Sequence, residues 1–560
     1  MTDVVADPLT IGPDLALGVE VSRIPEGGVF AGHVDGEAVM LARTSAGLTA
    51  IAAACSHYSG PLHEGLRVGD HIHCPWHHAC FDLRNGLATK APALSPLACW
   101  RVEEIDGKVF VREKLDAPVS REQEADALLW EARSRANGSS PQAPVARQHA
   151  SHNDASDAGS RQIVIVGGGA SGFAAAQRLR ALGFDGTLTM LSADTDAPYD
   201  RPNVSKDYLA GTAEPEWMPL KDEAFYAGLG IDLRLNANVT AIDAKARAVT
   251  FLSGAGSPRA PDRQQAGSHM ASETLEYDKL LLATGAEPIR PQAPGFDHAH
   301  VHTVRRMKDA EAIIADIDPS QTVAVIGSSF IGMEVAGSLR QRNVAVHVIG
   351  PEPVPLASKL GPRIGALIQR LHEENGVTFH LGRRAVAYED GQVTLDDGST
   401  VAASRVVLGI GVTPRLALAQ MAGLDVDRGV IVDRSMRTSD PDIFAAGDIA
   451  RYPGPMGESV RIEHWVVAER LGQIAAAAML GRGDAYDEAP YFWSVHYDVT
   501  VRYVGHADAW DDIQVFGSVE AKDAEVRYVK NGHVVAVATI NRDLDCLRAG
   551  QRVPFDAAGP

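Results

Sequence analysis

The sequence predicts a multidomain chain: a small all-β domain, then two α/β nucleotide-binding units built on parallel sheets, then a small α+β domain. Three observations predict it. Two mixed Cys/His runs lie among alternating strands near the N-terminus, two glycine-rich strand-turn-helix segments follow, and apolar and polar residues alternate through the tail from Tyr491 onward. At 560 residues and 45% hydrophobic, the chain is too long for one core, and about three or four domains are expected.

The first element carries Cys55-Ser56-His57 and Cys74-Pro75-Trp76-His77, which supply two thiolates and two imidazoles. That is the ligand set of a Rieske [2Fe–2S] cluster, with Cys55 and Cys74 on one iron and His57 and His77 on the other; the His ligands raise the potential above that of an all-Cys cluster. A Cys2His2 zinc site uses the same ligand types, but zinc fingers present Cys/Cys and His/His pairs rather than two mixed pairs. Gly60-Pro61-Leu62 and Asp82-Leu83-Arg84-Asn85-Gly86 read as the turns that close the two loops. The run from Cys74 to Gly86 resembles the Rieske ferredoxins and Rieske oxygenases, except at His78, where that family commonly has Gly. An imidazole beside a ligand bears on the potential through solvation and hydrogen bonding, not on ligation. Gly60 and Trp76 stand where high-potential Rieske proteins carry a disulfide, so the resemblance is to the ferredoxin-type branch, at the lower end of roughly −150 to +300 mV.

Of the five cysteines, Cys80, Cys99 and Cys546 remain and read as buried or free thiols, so no secreted disulfide framework is expected. There is no early basic-plus-apolar signal and no apolar run near the roughly 20 residues that span a bilayer. The expectation is a cytoplasmic protein without membrane contact. A formal net charge of −20 argues against nucleic acid or an anionic membrane as a partner, because both attract clustered Lys and Arg.

The strands of the first domain end near Val111, Glu122 to Ala136 has the pattern of a short charged helix, and Asn137 to Ser160 is rich in Gly, Ser, Ala, Gln, His and Pro. Residues 1–115 are therefore the Rieske domain and 116–160 a helix and flexible linker. As a coil the linker spans roughly 25 Å and holds the modules at an effective concentration on the order of millimolar.

At Gln162 an apolar strand runs into Gly167-Gly168-Gly169-Ala170-Ser171-Gly172 and an Ala-rich helix. In this dinucleotide fingerprint Gly167 permits the tight turn, Gly169 lets the backbone approach a pyrophosphate, and Gly172 lets helix and sheet pack closely. Asp194, after the next strand, is the candidate acid for a ribose hydroxyl. A second copy runs from Val323 into Gly327-Ser328-Ser329-Phe330-Ile331-Gly332, with Ser329 at the middle Gly position. Two such Rossmann units imply two dinucleotides. The second copy's next strand ends in Gly350-Pro351-Glu352 with no Arg to meet a 2′-phosphate, which favours NADH over NADPH. Ser253 to Ser272 reads as a surface hairpin loop.

Further landmarks follow in order: Pro198-Tyr199-Asp200-Arg201-Pro202 with Ser205-Lys206, Ala283-Thr284-Gly285, Ile443-Phe444-Ala445-Ala446-Gly447-Asp448, Glu463-His464-Trp465 and Phe492-Trp493-Ser494. On these motifs, Gln162 to about Asp543 resembles the two-dinucleotide flavoprotein reductases of glutathione-reductase-like fold, specifically oxygenase-coupled ferredoxin reductases and apoptosis-inducing-factor-like proteins. The resemblance implies an FAD-binding domain at 161–302 and 428–484, an NAD-binding domain at 303–427 and a C-terminal reductase domain at 485–560. It implies that Arg201, Thr284, Gly285, Gly447 and Asp448 contact FAD, that Lys206 lies near flavin N5 paired with Glu334, and that Glu463, His464 and Trp465 lie beside flavin and nicotinamide. Trp493 reads equally as a flavin neighbour or as core.

The reductase half has a single cysteine, Cys546, so the disulfide relay of glutathione-reductase-type enzymes cannot operate. His298, His300 and His302 alternate along a strand and read as part of a connector rather than as a mononuclear-iron triad. The whole chain resembles a Rieske ferredoxin joined to its reductase. That implies an NAD(P)H-dependent flavin oxidoreductase of ferredoxin reductase type, which passes electrons from NADH through FAD to the cluster and on to an acceptor protein such as an oxygenase or P450. The histidine edge at His57 and His77 is the expected exit. A second reading is a stand-alone NADH oxidase, or quinone or dye reductase, with the Rieske domain as terminal carrier or redox sensor. A third, a non-enzymatic signalling or nucleic-acid-binding role, conflicts with the charge. A homodimer is compatible with the sequence.

Overall fold

The computed structural model describes residues 11–115, 161–254, 271–454, 457–483 and 485–552. The expected helix and linker at 116–160, and most of the loop from Ser253 to Ser272, lie outside the described residues.

The N-terminal domain is all β. A six-stranded antiparallel sheet runs, in spatial order, Val19–Glu20, Lys108–Lys114, Cys99–Ile105, Gly47–Ala52, Glu37–Thr44 and Val29–Val34. Its last strand continues past the expected end at Val111 because Lys114 still pairs with Trp100 beyond an irregularity in the register. A four-stranded sheet of short strands, Leu66–Val68, His71–His73, Cys80–Asp82 and Ala88–Lys90, carries the second Cys/His run. The alternation of inward residues places Met40, Ile51, Phe81 and Leu83 in one core beside Cys55 and Cys74.

Two parallel five-stranded sheets follow. In the first the order is Ile231–Arg234, Thr187–Leu191, Gln162–Val166, Lys279–Leu282 and Ile443–Ala445, so the last strand arrives from far along the chain. In the second it is Val301–Thr303, Arg405–Leu408, Thr322–Ile326, Ala345–Gly350 and Val377–Leu381. Each central strand is an apolar run because both faces are covered, as a parallel sheet requires. The Ala170–Ala181 helix lies against the Trp465–Met479 helix so closely that a Cβ at Gly472 would sit 2.2 Å from the Ser171 carbonyl oxygen.

The C-terminal domain is a five-stranded antiparallel sheet, ordered Tyr491–His496, Val499–Gly505, His533–Ile540, Asp523–Lys530 and Asp512–Ser518, with the Asp543–Gly550 helix against it. These strands are the alternating segments of the tail. Among the described residues no helix is long and apolar enough to cross a membrane.

Candidate functional site

The two Cys/His runs fold into matched loops. In each, the Cys N–H donates to a carbonyl five residues on, Cys55 to Gly60 at 2.9 Å and Cys74 to Ala79 at 2.8 Å. The residue four positions on donates back to the Cys carbonyl, Ser59 at 2.9 Å and His78 at 3.1 Å. Both reversals need a left-handed residue, Ser59 at φ 56° and His78 at φ 63°. This is the physical reason for Gly at the His78 position elsewhere. The second loop thus closes at Ala79, and the Asp82–Gly86 turn, expected to close it, instead joins the next two strands, with Gly86 at φ 71°.

The ligands pair two by two. The Nδ1 atoms of His57 and His77 face one another at 3.1 Å. Burial draws His57 down to about 4 and His77 well below the usual imidazole range, so both rings are neutral, the form that ligates a metal. Cys55 and Cys74 share a hydrogen bond that pushes the Cys55 thiol far up and pulls Cys74 down. Gly60 packs against the second loop, where a Cβ would lie 2.8 Å from the Cys74 sulfur and 3.2 Å from the Trp76 ring. Cys80, Cys99 and Cys546 are buried free thiols.

A cavity of about 1460 Å³ lies where the two parallel sheets meet the C-terminal domain, larger than the roughly 300–1,000 Å³ of a single small-ligand pocket. Its first wall is the turn from Gly167 to Ser171. Gly167, at φ 122°, would put a Cβ 2.1 Å from the Ala283 oxygen, and Gly172 one 2.0 Å from the Gly167 oxygen. Gly169, in contrast, faces open space, its nearest neighbour being Arg201 Nη2 at 3.9 Å, and it caps the helix beginning at Ala170. An open cradle at a helix N-terminus beside a half-buried guanidinium suits a pyrophosphate. Asp194 lines the same wall and accepts from the Tyr199 hydroxyl at 3.1 Å.

The second cradle repeats the first: Gly327 at φ 116° leaves 2.3 Å to the Gly409 oxygen, and Gly332 leaves 2.0 Å to the Gly327 oxygen. Ser329, at the middle glycine position, turns its hydroxyl onto the Gly409 carbonyl at 3.2 Å. Ser329, Phe330 and Ile331 line the cavity, whereas Gly172, Gly327 and Gly332 shape the turns behind it. Glu352 stands outside the lining, its carboxylate accepting from the Ser358 hydroxyl at 2.5 Å. Adding a methyl at Gly332 should weaken NADH binding by roughly tenfold or more while bound FAD is retained, since overpacking costs about 1–3 kcal/mol; titration of Gly332→Ala with NADH checks this.

Thr284, Gly285, Gly447, Asp448, Glu463, His464, Trp465 and Trp493 also line the cavity. The Lys206 ammonium lies 2.9 Å from Glu334 Oε2, and Glu334 also accepts from Ser205 and Ser494, each at 2.9 Å. Asp448 is held by Arg305 at 2.6 Å and Glu463 by Arg461 at 2.5 Å; burial nonetheless raises Glu463. Burial takes His464 down to about 3. Its Nδ1 and the Arg305 Nε are buried without a partner, as polar atoms waiting on a ligand would be. Arg305 and Arg461 carried no local sequence signal; each is identified by its partner in space. Asp200, buried next to this wall, is pushed by desolvation up to about 7. A raised carboxyl favours the folded state below its unfolded pKa and loses that contribution as pH rises toward 7. Asp200→Asn should match the parent in thermal unfolding below pH ~4 and exceed it by roughly 1–4 kcal/mol at pH ~8.

The cluster loops press against this cavity's outer wall. The His77 ring lies 4.2 Å, centroid to centroid, from Trp493. His78 stacks on Tyr491 at 3.8 Å and 24°. The Tyr491 hydroxyl and Arg502 Nε donate to the Trp76 carbonyl at 2.7 and 3.2 Å. Lys90 pairs with Glu488 at 3.2 Å, and Asn203 reaches the Tyr58 hydroxyl at 3.2 Å. Away from this centre, His300 and His302 both bond Asp316, at 2.9 and 2.8 Å, in a connector strand, and among the described residues no group of three or more His, Cys, Asp or Glu converges on a single metal ion.

Comparison with known proteins agrees with this geometry. Residues 161–472 match the family model described as pyridine nucleotide-disulphide oxidoreductase, 17–101 the Rieske [2Fe-2S] domain, and 491–553 the reductase C-terminal model. The Rieske match decides between a two-iron cluster and a single zinc. Apoptosis-inducing factor 3 of Homo sapiens is 30% identical over 515 residues, spanning 90% of this chain and 78% of that protein. The anthranilate 1,2-dioxygenase system ferredoxin–NAD(+) reductase component of Burkholderia cepacia is 38% identical over 395 residues, 69% of this chain and 93% of that one. The solved structure of a covalent putidaredoxin reductase–putidaredoxin complex superposes with a TM-score of 0.64 at 31% identity, covering 70% of this chain and 92% of that chain.

Proposed function

Because the chain belongs to the pyridine nucleotide-disulphide oxidoreductase family and carries a Rieske domain and a reductase C-terminal domain, we propose that it draws electrons from NADH by way of FAD into its own cluster, and from there into a protein acceptor such as an oxygenase or P450. It is an NAD-dependent oxidoreductase of ferredoxin reductase type. When bound, FAD converts one two-electron delivery into two one-electron departures, and the [2Fe–2S] group holds one electron at a time.

The chain's own residues are suited to these tasks. The open turns at Gly169 and Ser329 would hold the two pyrophosphates on helix N-termini, and Asp448, steadied by Arg305, would take hydroxyls of the flavin side chain. Lys206 offers a cation where negative charge arrives with a hydride, and Glu334 fixes that ammonium in place. Cys55, Cys74, His57 and His77 would hold the cluster, the two neutral imidazoles being in the protonation state that ligation needs. Trp465 and Trp493 line the cavity as aromatic surfaces for the flavin and nicotinamide rings.

One observation carries the internal route: Trp493 lines the nucleotide cavity and at the same time packs on His77. A conjugated ring that borders the cavity and also touches a candidate cluster ligand supports that route. Anaerobic titration of the whole protein with NADH tests the reading. Flavin bleaching followed by the electron paramagnetic signal of a reduced Rieske cluster is the expected result; a bleached flavin beside a cluster that stays oxidised would overturn the internal route.

A further inference from the structure

Behind Glu334, on the side away from the cavity, a line of polar side chains crosses the packed core. Ser494 donates to Glu334 Oε1 at 2.9 Å, and the same hydroxyl lies 3.2 Å from His496 Nε2. His496 Nδ1 lies 3.3 Å from His372 Nε2, and His372 Nδ1 lies 3.5 Å from the Tyr497 hydroxyl. Ser494, His496 and His372 are 1–2% exposed, while Tyr497 is only half-buried. The chain is drawn from three elements: the Phe330–Gln341 helix for Glu334, the Ala357–Glu374 helix for His372, and the strand ending at His496 with its turn residue Tyr497, at φ 57°.

Two histidines buried nose to tail are costly unless each nitrogen is used. Packing alone would be served by apolar residues, and the neighbours are apolar: Val499 and Val501 are fully buried, and the Phe379 ring lies 6.4 Å from His372. Burial holds both imidazoles neutral, His496 down at about 3 and His372 well below the usual range. The charged groups facing the chain are Lys206 and Glu334 at its inner end and Arg340 toward Tyr497. A neutral imidazole carries one N–H and one bare nitrogen, so every link can be made in either direction along the line.

We propose that Tyr497, His372, His496 and Ser494 form a proton relay between solvent and the Glu334–Lys206 pair at the nucleotide cavity. The proposal rests on the NADH-oxidising reading above. Oxidation of NADH releases a hydride, one proton with two electrons, and a cluster that takes electrons only leaves that proton behind: NADH plus two oxidised one-electron acceptors gives NAD+, one H+ and two reduced acceptors. Outward, the Lys206 ammonium gives a hydrogen to Glu334 and takes in its place the proton left at the cavity; Glu334 gives a hydrogen to Ser494 Oγ, Ser494 gives its own to His496 Nε2, His496 passes the Nδ1 hydrogen to His372 Nε2, and His372 passes its Nδ1 hydrogen to Tyr497, which releases one to water. Each link breaks one bond to hydrogen and forms one, and one proton enters for one that leaves. The passage inverts every link, and the hydroxyls and rings turn back before the next proton leaves, so that each turnover exports one.

The test follows a single turnover of the FAD- and cluster-loaded protein in weak buffer with oxidised cytochrome c in excess, an acceptor of electrons alone, so that both electrons leave; flavin bleaching, cluster reduction and proton appearance are recorded together, the last by a pH indicator. In Tyr497→Phe and in His372→Gln, flavin bleaching by NADH should keep its rate while proton appearance lags by about tenfold or more, within the range that positioned acid–base groups supply. Added imidazole should remove the lag in the histidine variant. The flavin midpoint potential should not move, whereas a merely structural role would move it. Independently of turnover, 15N-histidine spectra of the loaded protein should show the ring shifts of His496 and His372 changing together in Ser494→Ala. Proton appearance that keeps pace with bleaching in both variants overturns the relay, and Tyr497→Phe, at a half-exposed turn, provides the same test if the buried variant does not fold. Absence of bleaching in the parent protein would instead overturn the NADH-oxidising reading, so the two failures are distinct.

Discussion

Cys74→Ala is expected to strip the protein of its cluster, its Rieske absorption and its reduced-state paramagnetic signal, and to reduce NADH-driven cytochrome c reduction to background, while NADH still bleaches the flavin at the parent rate. Cys74 is 1% exposed, sits in the loop that its own N–H closes on Ala79, and pairs with Cys55, the other thiol of the set. Losing a ligand must exceed the roughly 10–100-fold loss in metal affinity that follows from changing a residue that merely supports one. The nucleotide cradles lie in other domains and lose no contact. Stopped-flow absorbance separates the two steps. If cytochrome c were reduced as fast as before, the flavin would be delivering electrons directly and the Rieske domain would be a sensor or a spare carrier.

Lys206→Met should slow flavin reduction by NADH by about 10²–10³-fold, the loss expected when a preorganised positive group aimed at developing negative charge is removed. It should also destabilise the protein by roughly 3–5 kcal/mol, because Glu334 would be left as an unpaired buried carboxylate. Adding Glu334→Gln to that variant should return most of the stability and none of the rate. Thermal unfolding and rapid-mixing flavin absorbance measure the two effects on the same samples. A rate that recovers with stability would mean that the lysine acts only by holding the fold together.

What the sequence made legible is what short-range geometry dictates. The four cluster ligands stand out because two irons of unlike ligation need two mixed pairs, and the glycines of both cradles because a Cβ at Gly172 or Gly332 would lie 2.0 Å from a backbone oxygen. The pairing of Lys206 with Glu334 came from family resemblance, since the two residues are 128 positions apart. The second cluster loop closes ahead of the Asp82–Gly86 turn because the positive φ that closes it is adopted by His78, a residue whose type gives no sign of it. Contacts that depend on three domains coming together left no trace in any one segment: Trp493 on His77, Arg305 on Asp448, and the line from Ser494 to His372. Trp493, which reads from sequence as flavin neighbour or core, faces both the cavity and the cluster loop.

The His78–Tyr491 stack and the Trp76 carbonyl, gripped by Tyr491 and Arg502, seat the cluster's histidine edge against the reductase. A berth of this kind admits one occupant. While His77 lies on Trp493 that imidazole is committed to the reductase, and on the route proposed above an outside acceptor that uses the same ring would compete with Trp493 for it. A saturating acceptor would then expose a ceiling on throughput set by how often the berth is vacated, a property of this one polypeptide that neither raising the protein concentration nor changing the acceptor would lift.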